Sequence, residues 1–314
     1  MKSKNFAIYA WAVFLYNLLV IVWGAYVRVT GSGAGCGQHW PMCNGEVIPR
    51  DPKIETLIEY SHRTTSGLAM ISVLVLLIWA YRLYPKGNTV RLGAKLSMIF
   101  MVTEAILGAG LVLLRLVEDD ASIGRIFSMG AHLVNTFLLI ASISLTAWWA
   151  SGGKPVNWNK DDPLSKFLKL AVGALIIIGV TGAITALGDT LFPVQDIIDK
   201  GAKGKGFTET FLRQFRILHP LFSAIISFYL LLIVIAVKKR TYDPTTQKLA
   251  SILLIAFLVQ LTVGITNIIL RVPAWLQLTH LFFADLVWVA LVLLTASILG
   301  DETTDSSWRA QNLS

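Results

Sequence analysis

Charge is what this chain has least of. Lys, Arg, Asp and Glu together make up 15% of its 314 residues, where a soluble domain carries about a quarter. With 55% hydrophobic residues beside so little charge, an ordinary water-soluble fold is excluded. Cysteine is almost missing as well. Cys36 and Cys43 are the whole supply, and with His39 as the only extra ligand nearby they fall short of the four that a structural zinc site takes. No small-residue cleavage site follows the first apolar run, so that run reads as a retained helix and not as a signal peptide, and no transit peptide precedes it.

What is present is a series of apolar runs, at about 6–28, 58–82, 92–116, 127–150, 166–188, 214–237, 248–270 and 275–299. Each is near the ~20 residues that a bilayer-spanning helix needs. The expected fold is an all-α polytopic membrane protein of eight transmembrane helices.

The net charge of +8 would suit a nucleic-acid partner, but the lysines are sorted by side. With a cytoplasmic N-terminus, Lys2, Lys4, Lys86, Lys95, Lys154, Lys160, Lys166, Lys169, Lys238, Lys239 and Lys248 fall on the inside. That is the positive-inside bias of a multi-pass protein. It predicts a prokaryotic cytoplasmic membrane protein with both termini inside, and no nucleic acid. Arginines do not follow the rule: Arg28, Arg50, Arg63, Arg115, Arg125, Arg213, Arg216 and Arg271 lie on or near the outer side, where an anionic ligand would account for them. Cys36 and Cys43 share the first outward loop, an oxidising setting in which a disulfide is the expected state.

The two halves superpose. Gly24-Ala25 matches Gly182-Ala183 at an offset of 158, and His62 matches His219 at 157. Gly108 and Arg115 match Gly264 and Arg271 at 156, and His132 matches His280 at 148. Four helices per unit bring both halves in from the same side, a parallel repeat with its axis along the membrane normal. The expected organisation is two pseudo-symmetric four-helix bundles, 1–150 and 166–300, with a polar linker at 151–165 and a polar tail at 301–314.

Four of the five histidines, His62, His132, His219 and His280, occupy these repeat-related places, each a turn or two inside the outward end of an even-numbered helix. Ionisable residues inside a membrane are costly and tend to be functional. Two facing imidazoles in a four-helix bundle form a natural axial pair for haem iron. Haem propionates would then point outward, where Arg28, Arg115 and Arg271 are candidate contacts through bidentate hydrogen bonds. Snorkelling at a helix end is the alternative for each arginine.

The halves differ at one informative position. Glu59 stands one turn before His62 and on the same helix face, while the matching residue before His219 is Arg216. Glu-x-x-His also occurs in di-iron bundles, but those need a second copy and two more glutamates, and within the spans only Glu104 remains. Glu104 and Asp285 are read as structural acids, with Glu104 opposite Gln260 in the repeat alignment. His39 is read as a hydrogen-bonding loop residue.

At these residues the chain resembles the haem A synthase family. The similarity runs through Arg28-Val29-Thr30-Gly31-Ser32-Gly33, Cys36-Gly37, Trp40-Pro41-Met42-Cys43 and Glu59-Tyr60-Ser61-His62-Arg63, and the later histidines follow in the family's order. The resemblance implies a membrane-bound oxidoreductase that oxidises a methyl group of haem O to the formyl group of haem A. It implies a substrate-haem site in the first half at His62 and His132, and a haem b in the second half at His219 and His280 that passes electrons. It implies Glu59 as the essential carboxylate, Cys36 and Cys43 as the loop disulfide, and haem O synthase and a membrane electron acceptor as partners. One departure stands out: the outward stretch 188–213 has no second cysteine pair, so no redox role for such a pair applies. Two other classes fit part of the pattern, a non-catalytic di-haem b cytochrome relaying electrons and a repeat-built transporter.

Overall fold

The computed structural model describes residues 2–193, 206–240 and 242–300. The tail 301–314 and the middle of the 188–213 stretch lie outside the described residues. Eight long helices make up the fold, and no strand occurs among the described residues. They are α1 (Lys2–Val29), α2 (Ile54–Leu83), α3 (Thr89–Leu113), α4 (Ile123–Ala150), α5 (Pro163–Leu191), α6 (Phe207–Lys238), α7 (Pro244–Ile269) and α8 (Ala274–Gly300). All eight are long and apolar enough to cross a bilayer, so the chain is a polytopic membrane protein.

Most helices begin a turn before the apolar runs do, because polar caps open them. Asn88, Ser122, Asp162 and Asp243 each accept a hydrogen bond from a first-turn amide with their side chains, and Pro163 and Pro244 follow two of them at the first helical position. These are standard start signals, and hydropathy does not register them. At the other end α3 stops at Leu113, short of the run expected to 116. Arg115 takes a left-handed conformation there (φ 57°), and the Leu116 amide bonds back to the Leu111 carbonyl at 2.8 Å. The same stop closes α7, with Arg271 at φ 60° and the Val272 amide on the Asn267 carbonyl at 2.8 Å. Glycine normally fills that position. An arginine there carries a conformational cost of about 1–2 kcal/mol, and both halves bear it at the matching residue.

In the first half α1, α2, α3 and α4 touch in a ring, and α5, α6, α7 and α8 touch in the same cyclic order in the second. The halves meet where α4 and α8 pack together, flanked by α1 against α8 and α4 against α5. These two central helices are the most enclosed of the eight. At their contact Phe137 and Trp288 stack with centroids 4.9 Å apart, and the Trp288 indole donates to the Phe137 carbonyl at 2.7 Å. The outer helices expose Ile8, Leu19, Ile106, Ile177 and Ile255, the apolar surface that lipid tails accept.

Candidate functional site

Every repeat-related histidine lies against a glycine of the preceding helix. A Cβ added at Gly24 on α1 would stand 2.9 Å from His62 Cε1 on α2, and one at Gly182 on α5 would stand 3.0 Å from His219 Cε1 on α6. A Cβ at Gly264 on α7 would stand 2.9 Å from His280 Cε1 on α8, while at Gly108 on α3 the distance to His132 Cε1 is 3.9 Å. Real Cβ atoms essentially never approach below 3.0 Å, so His62 and His280 sit where a methyl group at Gly24 or Gly264 would force a shift, and His219 stands at that limit from Gly182. The sequence reading used these glycines only as alignment marks. Their depth, equal to that of a histidine one helix on, is the signal that would have identified them.

A direct expectation follows from the spacing. Gly264→Ala should displace His280 and lower haem retention in purified protein, measured as the ratio of Soret to protein absorbance, whereas Gly108→Ala should leave it near the wild-type value. Equal behaviour of the two variants would mean that the glycines do not seat the rings.

The second-half rings face each other: the His219 and His280 centroids are 6.4 Å apart and nearly perpendicular at 87°. Thr181 Oγ holds His219 Nδ1 at 2.9 Å. The side-chain amide of Gln260 reaches His280 Nε2 at 3.2 Å. In the first half Glu104 Oε1 lies 3.7 Å from His132 Nε2, so the repeat partners Glu104 and Gln260 each approach the histidine of the next helix. Glu104 also accepts from Asn135 Nδ2 at 2.6 Å and Thr136 Oγ1 at 2.5 Å. Nδ1 of His62, His132 and His280 is buried without a hydrogen-bond partner among the described residues. Leaving a buried polar group unpaired costs about 1–3 kcal/mol, and four imidazoles at repeat-related places, two of them facing each other, suit metal ligation better than core packing.

Glu59 is 3% exposed and engaged on both oxygens. Oε1 receives Arg63 Nε at 3.1 Å and Nη2 at 2.5 Å, and Oε2 receives the Cys36 amide at 2.7 Å. Arg63 also donates to the His39 and Met42 carbonyls. Cys36 and Cys43 are joined by a disulfide. Gly35 lies so close to α2 that a Cβ there would stand 2.5 Å from the Glu55 carbonyl, and Thr56 Oγ1 donates to the Gly35 carbonyl at 2.8 Å. Glu59 and Arg63 thus tie the disulfide loop to the helix that carries His62. The expected contribution of His39 to the loop is met by its carbonyl.

The arginines divide. Arg28 reaches across to the second half, donating to the Ala186 carbonyl at 2.7 Å, Thr190 Oγ1 at 2.6 Å and Gln277 Oε1 at 3.4 Å. It bridges the halves, a job that sequence alone did not suggest. Arg115 and Arg271 are exposed at the matched helix ends. Arg216, the residue that matches Glu59 one turn before His219, pairs with Asp189 Oδ1 at 2.6 Å and also donates to the Gly188 and Phe192 carbonyls. Each half therefore holds an acid–arginine pair near its outer pocket, Glu59–Arg63 in one and Asp189–Arg216 in the other. The charge contrast between pockets is smaller than the residue identities imply.

A family profile described as COX15-CtaA, cytochrome oxidase assembly protein, matches residues 7–292. The chain belongs to the COX15-CtaA family. A Thermus thermophilus protein named Protoheme IX farnesyltransferase is 47% identical over 291 residues, covering 93% of this chain and 48% of that protein. Two proteins named Heme A synthase match over shorter stretches. The one from Exiguobacterium sp. is 39% identical over 45% of this chain and 46% of its own length, and the one from Halalkalibacterium halodurans is 38% identical over 44% of each. The chain spans about half the length of the curated relatives it matches.

Proposed function

We propose that this protein is a haem A synthase of a bacterial cytoplasmic membrane, oxidising a methyl group of haem O to the formyl group of haem A. The observation that carries the reading is the set of four repeat-related histidines, each against a glycine of the preceding helix and with His219 facing His280, in a chain of the COX15-CtaA family. Residues 1–150 form the substrate bundle, with His62 and His132 holding haem O. Residues 166–300 form the second bundle, in which His219 and His280 would hold a haem b. That haem, when bound, supplies one-electron transfer at a potential set by its ligands and surroundings. Arg115 and Arg271, held at matched outer helix ends, suit propionate carboxylates, and Arg28 sets the spacing of the halves behind them. Glu59 holds or moves a proton beside the reacting methyl group. Haem O synthase and a membrane electron acceptor are the partners this chemistry requires.

The test is extraction and chromatography of the haem in purified protein, from cells with and without a haem O supply. Haem b alone without supply, and haem O or A in addition with it, is the expected result. Two equal haem b groups under both conditions would favour the non-catalytic cytochrome instead, and the lack of any Soret band would favour a transporter.

The name of the Thermus relative raises a second reading, prenyl transfer onto protohaem. That name belongs to a protein about twice the length of the match. The family profile over residues 7–292 and the relatives named Heme A synthase favour the oxidation reading instead. We therefore assign the matched half to methyl oxidation. Production of haem O from protohaem and farnesyl diphosphate by the purified chain would reverse that assignment.

The lysine distribution sets both termini inside. Reporter fusions should accordingly read cytoplasmic after Lys160 and external after Asn44. A cytoplasmic signal at Asn44 would invert the topology and place the disulfide loop in a reducing compartment.

A further inference from the structure

Asp285 is the most anomalous side chain in the molecule. It sits near the middle of α8, is 0% exposed, and neither carboxyl oxygen has a hydrogen-bond partner among the described residues. Its repeat counterpart is Phe137, so symmetry does not demand an acid there. A buried carboxylate without donor or counter-ion is among the costliest groups a membrane interior can hold. Such a residue holds a proton unless a nearby positive charge offsets its loss.

Its position connects the two histidine pairs. Asp285 is five residues past His280, about 7.5 Å along the helix axis and about 140° around it, so it points away from the ligand side. Trp288, three residues on and on the same face, packs on Phe137 of α4. Asp285 thus faces the first half. Glu104 of that half lies 3.7 Å from His132. Glu104 has donors on both oxygens, from Asn135 and Thr136, while Asp285 has none. The charged residues of the other helices packed on α8 (Lys4 and Arg28 on α1, Lys166, Lys169 and Asp189 on α5, Lys248 on α7) stand at helix ends. Tyr9 and Tyr16 on α1 turn toward α2, where they donate to the Ser72 and Thr65 carbonyls.

We propose that Asp285 binds one proton when the haem held by His219 and His280 gains an electron, and releases it when the electron leaves. The inference rests on the haem b reading of the second half. In balance, ferric haem takes one electron from a membrane-soluble reductant of the quinol class, and the Asp285 carboxylate takes one proton from water, forming an O–H bond. Oxidation reverses both. The physical cause is charge compensation: ferric iron carries one more positive charge than ferrous iron, and in a low-dielectric interior that charge is felt over the distance to Asp285. A bare carboxylate is costly at this buried site without donors, so the proton returns to Asp285 once the iron is reduced. Asp285 is a positioning group for charge between the pockets and touches no reacting atom in this role.

The test is a redox titration of the haem-loaded protein, purified without haem O, over a range of pH, with infrared difference spectra between oxidised and reduced states. Wild type should show a midpoint that falls with rising pH, approaching one proton per electron over part of the range, and a protonated-carboxyl band that appears on reduction. In Asp285→Asn the slope should flatten and the band vanish. If that variant does not fold, Asp285→Glu should keep a band at a displaced frequency. A pH-independent wild-type midpoint, or identical slopes in wild type and Asp285→Asn, would overturn the proposal while leaving the haem b reading intact. A purified protein without haem would overturn both.

Discussion

Replacing His280 by alanine is expected to remove nearly all of the low-spin haem b signal from purified protein, and His219→Ala is expected to do the same. In the proposed haem b site each ring would hold the iron from one side, and the rings face each other at 6.4 Å, so neither replacement leaves a substitute on the partner helix. Gln260, 3.2 Å from His280 Nε2, is an amide and a poor ligand for iron beside imidazole. The first half should stay folded, because its four helices make their own ring of contacts. It meets the second half where α4 packs on α8 and α5 and α1 packs on α8, and Phe137, Trp288 and Arg28, which make contacts there, are not altered. His62→Ala and His132→Ala should retain the haem b spectrum and instead lose haem O binding or turnover. Absorption spectra of the four variants, with haem extraction beside them, check this. The same spectral loss from all four would mean that the halves do not divide the work.

The fold was open to sequence reading because lipid imposes simple rules. A span must be apolar over its length and satisfy its own backbone, so eight runs gave eight helices. What hydropathy could not carry were the ends. Capping by Asn88, Asp162 and Asp243 lengthened helices into polar sequence, and the left-handed arginines at 115 and 271 cut α3 and α7 short. The histidines stood out because ionisable residues are rare in spans, and the glycines behind them did not, because glycine is common there. Contacts between distant residues were the least accessible. Nothing local to Arg28 reveals that it reaches Ala186 and Thr190, and nothing local to Arg216 reveals Asp189. Such pairs depend on how helices rotate against one another, which packing alone decides.

Glu59→Gln should yield a protein that folds and keeps haem b yet makes haem A at least about 100-fold more slowly, the lower range for loss of a general acid–base group. Haem O or a partly oxidised product should accumulate. The structure sharpens this expectation, because Glu59 is also a structural tie. Its carboxylate accepts three hydrogen bonds, from Arg63 twice and from the Cys36 amide, which leaves one of its roughly four lone-pair sites for a proton. Breaking a buried ion pair by removing one partner costs about 3–5 kcal/mol, so lost activity alone would not separate chemistry from a loosened loop. Arg63→Gln separates them. Arg63 makes the same tie and in addition holds the His39 and Met42 carbonyls, so if pinning the loop is all that matters, Arg63→Gln should be as damaging as Glu59→Gln or worse. If Glu59 handles the proton, Arg63→Gln should retain a substantial share of haem A output while Glu59→Gln does not. Haem A yield per haem b, measured for both variants, decides the matter. Equal losses would assign Glu59 to the architecture of the loop, and near-normal output from well-folded Glu59→Gln would remove it from the chemistry altogether.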